Sequence, residues 1–65
     1  MNNQKLLSKA TEQNIYLRGM YSTLAGKGIN PNDNSAYQFE RAILIGMTKM
    51  LDVVGVDRSQ FNWIF

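Results

Sequence analysis

The stretch SAYQFERAILIGMTKMLDVV, residues 35–54, has the strongest periodic pattern in the chain and decides its fold. Ser35, with Gln38 three residues later, has the capping-box pattern that begins a helix. Beyond it, apolar residues recur every three or four positions, which predicts a helix over about residues 36–54. These apolar residues form two stripes, namely Ala36, Phe39, Ile43, Met47, Met50 and Val54 in the first and Tyr37, Leu44 and Leu51 in the second.

This apolar arc is wider than one neighbouring helix of the same chain can cover. We therefore expect a second subunit or another protein to cover the remainder. A homodimer is the default expectation, because a chain of 65 residues without cysteine has few other means of stabilising a small core. The surface that we expect to bind a partner or to form the dimer consists of Tyr37, Leu44, Ile45, Thr48, Lys49, Phe61, Trp63 and Phe65.

The residues upstream predict a first helix over about 3–26 and a loop over 27–34. The apolar positions that share one face of this helix are Leu6, Ala10, Leu17, Met20 and Leu24. In the stretch AGKGI, Gly26 or Gly28 can take the left-handed conformation that ends a helix, and Ile29 can make the accompanying apolar contact. The stretch NPND that follows has the composition of a turn.

One turn of the first helix lacks an apolar residue on its buried face, because Gln13 and Asn14 occupy it. The simpler interpretation is that this turn is partly exposed. The alternative is that the two amides set the register across a dimer seam, as buried polar residues do in coiled coils.

The stretch DRSQFNWIF, residues 57–65, predicts a short amphipathic helix over about 58–64, with Asp57 at its N-cap. Each large apolar side chain contributes roughly 1.5–3 kcal/mol when it is buried, so we expect this tail to close the hairpin core or a dimer seam. The predicted fold is a single all-α domain over residues 1–65: an antiparallel helical hairpin with a short C-terminal helix, dimerising into a helical bundle.

The composition argues against catalysis. The chain has no histidine and no cysteine, which removes the commonest general base and the commonest metal ligands. Its carboxylates are spread along the sequence without the pairing that acid–base chemistry needs. No glycine-rich phosphate-binding pattern occurs. We therefore expect no enzymatic activity, no catalytic residue, no metal, no cofactor and no small-molecule substrate.

The charge and the hydropathy of the chain restrict the kinds of partner that we expect it to bind. The net charge of +2 comes from basic residues scattered singly, which permits contact with nucleic acid without predicting it. The longest apolar run, AILIGM at 42–47, is far shorter than the roughly 20 residues that span a bilayer. The N-terminal stretch has no signal-peptide pattern. We therefore expect a cytoplasmic protein without membrane contact. The chain is small and rich in asparagine, as is typical of accessory proteins of phages and mobile elements.

The segment MTKMLDVVGVDRSQFNWI, residues 47–64, resembles the helix-turn-helix of phage transcription regulators of the lambda type. Gly55 would form the turn, and Val56 would fill the corner between the two helices. The resemblance implies that a recognition helix presents Arg58, Ser59, Gln60 and Asn62 to the major groove, where Arg pairs with guanine and Gln or Asn with adenine. The chain departs from that family at Leu51, where alanine is usual.

Two functions follow from these observations. The first is a regulatory protein that binds a partner protein as its inhibitor or modulator. Its support is the excess of apolar surface, together with methionines and aromatic residues of the kind that carry binding energy at interfaces. The second is a helix-turn-helix transcription regulator that binds DNA. We favour the first and keep the second as the alternative.

Overall fold

The computed structural model describes residues 3–59 and 63–64. Helix α1 runs Asn3–Gly26, a 3-10 turn occupies Pro31–Asp33, and helix α2 runs Ser35–Val53. The predicted ranges for the two long helices were about 3–26 and about 36–54. No strand occurs among the described residues, so this part of the chain is all-α.

The two helices fold back on one another as an antiparallel hairpin. Near the connecting loop, the rings of Tyr21 and Tyr37 meet edge to face with their centroids 6.1 Å apart. Farther from the loop, Gln13 Nε2 on α1 donates to the backbone oxygen of Glu40 on α2 at 3.0 Å. The longest dimension of the molecule is 40 Å, little more than the roughly 36 Å length of a 24-residue helix. The hairpin is therefore one layer of two helices.

Helix α1 ends in a Schellman motif that settles which glycine caps it. Gly28 has a φ of +76°, in the left-handed region that residues with a Cβ rarely adopt. The N–H of Gly28 donates to the oxygen of Ala25 at 3.0 Å, and the N–H of Ile29 donates to that of Leu24 at 2.9 Å. The sequence left Gly26 and Gly28 open, and the structure selects Gly28.

Helix α2 ends in the same motif. Gly55 has a φ of +78°. Its N–H donates to the oxygen of Asp52 at 3.2 Å, and the N–H of Val56 donates to that of Leu51 at 2.9 Å. The side chain of Val56 also packs against the core that Leu51 belongs to. Gly55 therefore ends α2, whereas the helix-turn-helix resemblance stays a prediction.

The start of α2 corrects the predicted cap. Asn34, not Ser35, is the N-cap: its backbone is extended, with φ −93° and ψ 122°, and its Oδ1 accepts from the N–H of Tyr37 at 2.9 Å. With Asn34 as the cap, the third helical position is Tyr37, so Gln38 does not close a capping box. The Nε2 of Gln38 donates to the backbone oxygen of Asn32. Asparagine caps helices as well as serine does, and here it directly follows the 3-10 turn.

The core lies between the facing sides of the two helices. Its fully buried apolar residues are Ala10, Leu17, Tyr37, Leu44 and Leu51. Thr48 is buried beside them, and its hydroxyl donates to the backbone oxygen of Ile45 at 2.8 Å. Tyr37, Leu44 and Thr48 were predicted on a surface that binds a partner. That placement is wrong, because α1 covers this side of α2 within the chain.

The side-chain amides of Gln13 and Asn14 form hydrogen bonds between different elements of the same chain. The side chain of Gln13 links α1 to Glu40 of α2 through both the backbone oxygen, at 3.0 Å, and the carboxylate, at 2.7 Å. Asn14 is only 6% exposed, and its Oδ1 accepts from the N–H of Ile64 at 2.9 Å. The interpretation of an exposed turn is therefore wrong for Asn14. These amides set the register of elements within one chain.

The described residues of the C-terminal segment do not form the predicted helix. Arg58, Trp63 and Ile64 are not helical and Ser59 lies in a turn, whereas residues 60–62 are outside the described residues. Trp63 and Ile64 are half-buried and pack against the core, as expected of the tail. Phe61 and Phe65 also lie outside the described residues. The Ile64 N–H bonds to Asn14 of α1, which ties this residue to the first helix.

Candidate protein-binding face

Helix α2 is apolar on two sides, and only one of them is buried. The first stripe of the sequence, which we call the Phe39 stripe, consists of Ala36, Phe39, Ile43, Met47, Met50 and Val54. Phe39 is 66% exposed, Met50 is 47% exposed and Ile43 is 37% exposed. Met47 is half-buried and touches the edge of the core. Large apolar side chains thus stay in contact with water over the whole length of the helix.

A shallow groove on α1 continues this surface. It has a volume of about 500 Å³ and is lined mainly by Ile15, Tyr16, Gly19, Met20 and Thr23 of α1 and Ala36 of α2. Tyr16 is 54% exposed. Ala36 belongs to both the groove and the Phe39 stripe, so the two join. We call them together the open apolar face.

None of the residues that define the open apolar face is charged. Of the charged residues of α2, Arg41, Lys49 and Asp52 lie away from the Phe39 stripe, whereas Glu40, four residues after Ala36 and three before Ile43, lies at its edge toward α1. The Glu40 carboxylate is held by Gln13, as described above. The open apolar face can pack against another apolar surface, and contiguous exposed apolar patches mark binding sites for proteins.

Two exposed glycines flatten the outer surface of the helices. A Cβ added at Gly19 or at Gly46 would meet no atom within 4 Å, so no contact inside the chain requires either glycine. Glycine inside a helix costs roughly 0.5–1 kcal/mol relative to alanine. Gly46 lies three residues after Ile43 and four before Met50, next to the Phe39 stripe. A flat position there lets another backbone approach closely.

The other residues predicted on the contact surface have different environments. Ile45 is half-buried and Lys49 is exposed, so both stay predictions. Trp63 belongs to the C-terminal segment and packs on the core. The residues that the prediction missed are Phe39, Ile43, Met50 and Tyr16. The periodicity of the first three was visible, but it did not show which stripe of α2 faces α1.

The residues that the helix-turn-helix resemblance assigns to DNA are bonded within the chain where the structure describes them. Arg58 Nε donates to Asp52 Oδ1 at 3.0 Å, and Arg58 Nη2 donates to Asp52 Oδ2 at 3.2 Å. Both the N–H and the hydroxyl of Ser59 donate to Asp57 Oδ1, at 2.9 and 2.7 Å. Gln60 and Asn62 lie outside the described residues. The DNA-binding role of these four residues stays a prediction.

Arg58 and Trp63 contact each other within the C-terminal segment. The indole Nε1 of Trp63 donates to the backbone oxygen of Arg58 at 2.8 Å, and the guanidinium lies 5.9 Å from the ring centroid. The hydrogen bonds from Arg58 lower the pKa of Asp52 from its ordinary value of 3.8, because they stabilise the charged carboxylate. The same pair raises the pKa of Arg58. The N–H and hydroxyl of Ser59 likewise lower the pKa of Asp57.

Acid should weaken the attachment of this segment through Asp52. A carboxylate whose pKa is lowered on folding stabilises the protein above the ordinary value of 3.8, and this contribution is lost as the pH falls through the lower folded value. We expect Asp52→Asn to lower the melting temperature at pH 6. We also expect the variant to lose less melting temperature than the unmodified protein between pH 6 and pH 2. Melts followed by circular dichroism at both pH values measure this difference, and equal losses in the two proteins would contradict it.

The described residues give little support for a metal site or for a helix that spans a membrane. No group of three or more acidic, histidine or cysteine side chains among residues 3–59 and 63–64 could hold a metal ion. Neither helix of the described chain combines the length and the apolar character needed to cross a bilayer. Comparison of the chain with family models, with curated proteins and with solved structures finds no match.

Proposed function

We propose that this chain is a non-enzymatic regulatory protein that acts by packing its open apolar face against a helical surface of another polypeptide. The observation that carries the proposal is the Phe39 stripe: it is uncharged and largely exposed, and it lies on the same helix that supplies three of the five core residues. Fully burying one such side chain contributes roughly 1.5–3 kcal/mol. Several together supply the free energy that association of two chains requires.

The chemistry of the face indicates the kind of surface it binds. Apolar residues three and four positions apart form the ridges that pack into the grooves of another helix. Phe39 and Tyr16 are aromatic anchors, and Met20, Met47 and Met50 are side chains that adapt to an irregular contact. The flat position at Gly46 favours close approach of a helix. The expected partner surface is therefore an α-helix with an uncharged apolar face.

Photo-crosslinking in the producing cell tests this proposal. Benzoylphenylalanine replaces Phe39 in one variant and Lys49 in the other, because Lys49 is exposed on α2 outside the Phe39 stripe and belongs to the surface predicted from sequence. We expect irradiation to yield a discrete protein adduct from position 39 and none from position 49. An adduct from position 49 alone would move the site to the Ile45–Lys49 side. No adduct from either position would contradict the proposal.

A further inference from the structure

We propose that the polypeptide covering the open apolar face is a second copy of this chain, whose α2 packs antiparallel against the first to complete a four-helix bundle. This inference rests on the proposed function, because it names the partner of the same face. Three properties of the chain carry it: a hairpin covered on one side only, a stripe that is complementary to itself, and an exposed area of the size that a dimer needs.

The hairpin is one layer of helices with an uncovered side. The C-terminal segment is tied to Asp52, which lies nine residues after Ile43 and so half a turn around α2 from it. Arg58, and Trp63 that bonds to its backbone oxygen, therefore lie away from the Phe39 stripe. The radius of gyration is 12.7 Å, whereas a compact domain of this length has about 11 Å. Domains are built of at least two packed layers, and a second hairpin supplies the missing one.

The core within one chain is also small. Apart from Pro31 in the connecting turn, only five apolar residues are buried among those the structure describes. One of the five is the small Ala10, and another is Tyr37, which carries a hydroxyl. Chains of this size without disulfides or metals usually gain stability by oligomerising. A second copy is present wherever the first is made, so burial of the open apolar face between copies stabilises the fold itself.

The Phe39 stripe is complementary to itself when two copies run antiparallel. Its midpoint lies between Gly46 and Met47, with Ile43 and Met50 equally far on either side. Pairing about this point brings Phe39 against Val54 of the partner subunit and Ile43 against Met50 of the partner subunit. Each large side chain then meets a smaller or more flexible one. A two-fold interface requires this reciprocity, and no like charges meet across an uncharged stripe.

The exposed area agrees with what a dimer needs. A stable interface removes about 800 Å² from each partner. A large aromatic side chain carries on the order of 200 Å², and Phe39 and Tyr16 each expose more than half of theirs. The remainder of the Phe39 stripe and the α1 groove extend this patch along a helix about 28 Å long. Side-by-side burial of two such faces approaches the area of a standard interface.

The first measurement is the mass in solution. Sedimentation equilibrium of the unmodified protein should give twice the chain mass of 7.4 kDa. Phe39→Glu should shift the mass to that of a monomer with its helical circular dichroism retained. Gln38→Glu introduces the same side chain at an exposed position of α2 outside the stripe and should leave the dimer mass unchanged. A monomeric unmodified protein, or a dimeric Phe39→Glu variant, would overturn the inference.

The orientation of the two copies is tested by disulfide formation, because the chain has no cysteine of its own. Ile43→Cys and Met50→Cys, mixed and oxidised, should form a covalent heterodimer, whereas neither variant alone should link to itself. Self-linking of each single variant would indicate parallel helices and overturn the antiparallel arrangement. A monomer that still forms adducts from position 39 with a different protein would reject the second copy and leave the proposed function standing.

Discussion

Leu44→Ala should unfold the protein at room temperature, whereas Phe39→Ala should leave the monomer folded. Leu44 is fully buried between the helices, and truncation of a buried leucine to alanine costs about 2–5 kcal/mol. A core of this size supplies only about 3–5 kcal/mol in total. Phe39 is on the same helix but is 66% exposed, so its truncation removes little from the core of the chain itself.

Thermal melts followed by circular dichroism in dilute solution measure this contrast. Dilution matters because association through the open apolar face would make the melting temperature depend on concentration. If Leu44→Ala melts cooperatively at a temperature close to that of the unmodified protein, the burial of Leu44 in the core is contradicted. Loss of the helical signal in Phe39→Ala under the same conditions would contradict the exposed position of Phe39.

Trp63→Ala should cost less than the roughly 3–5 kcal/mol of a fully buried tryptophan, because Trp63 is half-buried, and it should release the C-terminal segment from the hairpin. The ring packs against the core, its indole N–H bonds to Arg58, and the guanidinium of Arg58 lies beside it. Trp63→Phe keeps a ring but removes the N–H donor, so we expect the smaller loss of about 0.5–1.5 kcal/mol typical of one hydrogen bond. Urea unfolding curves of the two variants measure both losses.

Hydrogen exchange gives the local readout of the same change. The amide of Ile64 bonds to Asn14 Oδ1 and should exchange slowly in the unmodified protein. In Trp63→Ala it should exchange at a rate close to that of an exposed amide, while the amides in the middle of α2 keep more of their protection. An Ile64 amide that exchanges equally fast in both proteins would show that the tie to Asn14 does not hold the segment.

The parts of the fold that local chemistry determines could be predicted from the sequence. A glycine with a positive φ followed by an apolar residue ends both helices, at Gly28–Ile29 and at Gly55–Val56, and both stretches are recognisable in the sequence. The cap of α2 was misassigned because Asn34 and Ser35 are adjacent and both suit the position. The backbone of the preceding 3-10 turn decides between them.

The parts that depend on contacts distant along the chain could not be predicted. Asn14 interrupts the apolar face of α1 because its amide accepts from Ile64, 50 residues away. Similarly, the two stripes of α2 have comparable apolar character, so periodicity gave no basis for choosing the stripe that α1 covers. In the structure, α1 covers the stripe of Tyr37, Leu44 and Leu51. The Phe39 stripe is therefore the one left exposed for a partner.

Hydroxyl-radical footprinting read by mass spectrometry tests this account most directly, because it measures the exposure of both stripes of α2 in one sample. In dilute solution, Phe39 and Met50 should be labelled rapidly while Tyr37 and Leu44 stay protected. At high protein concentration, the labelling of Phe39 and Met50 should fall as the second copy covers them. Rapid labelling of Tyr37 and Leu44 together with protection of Phe39 in dilute solution would contradict the account.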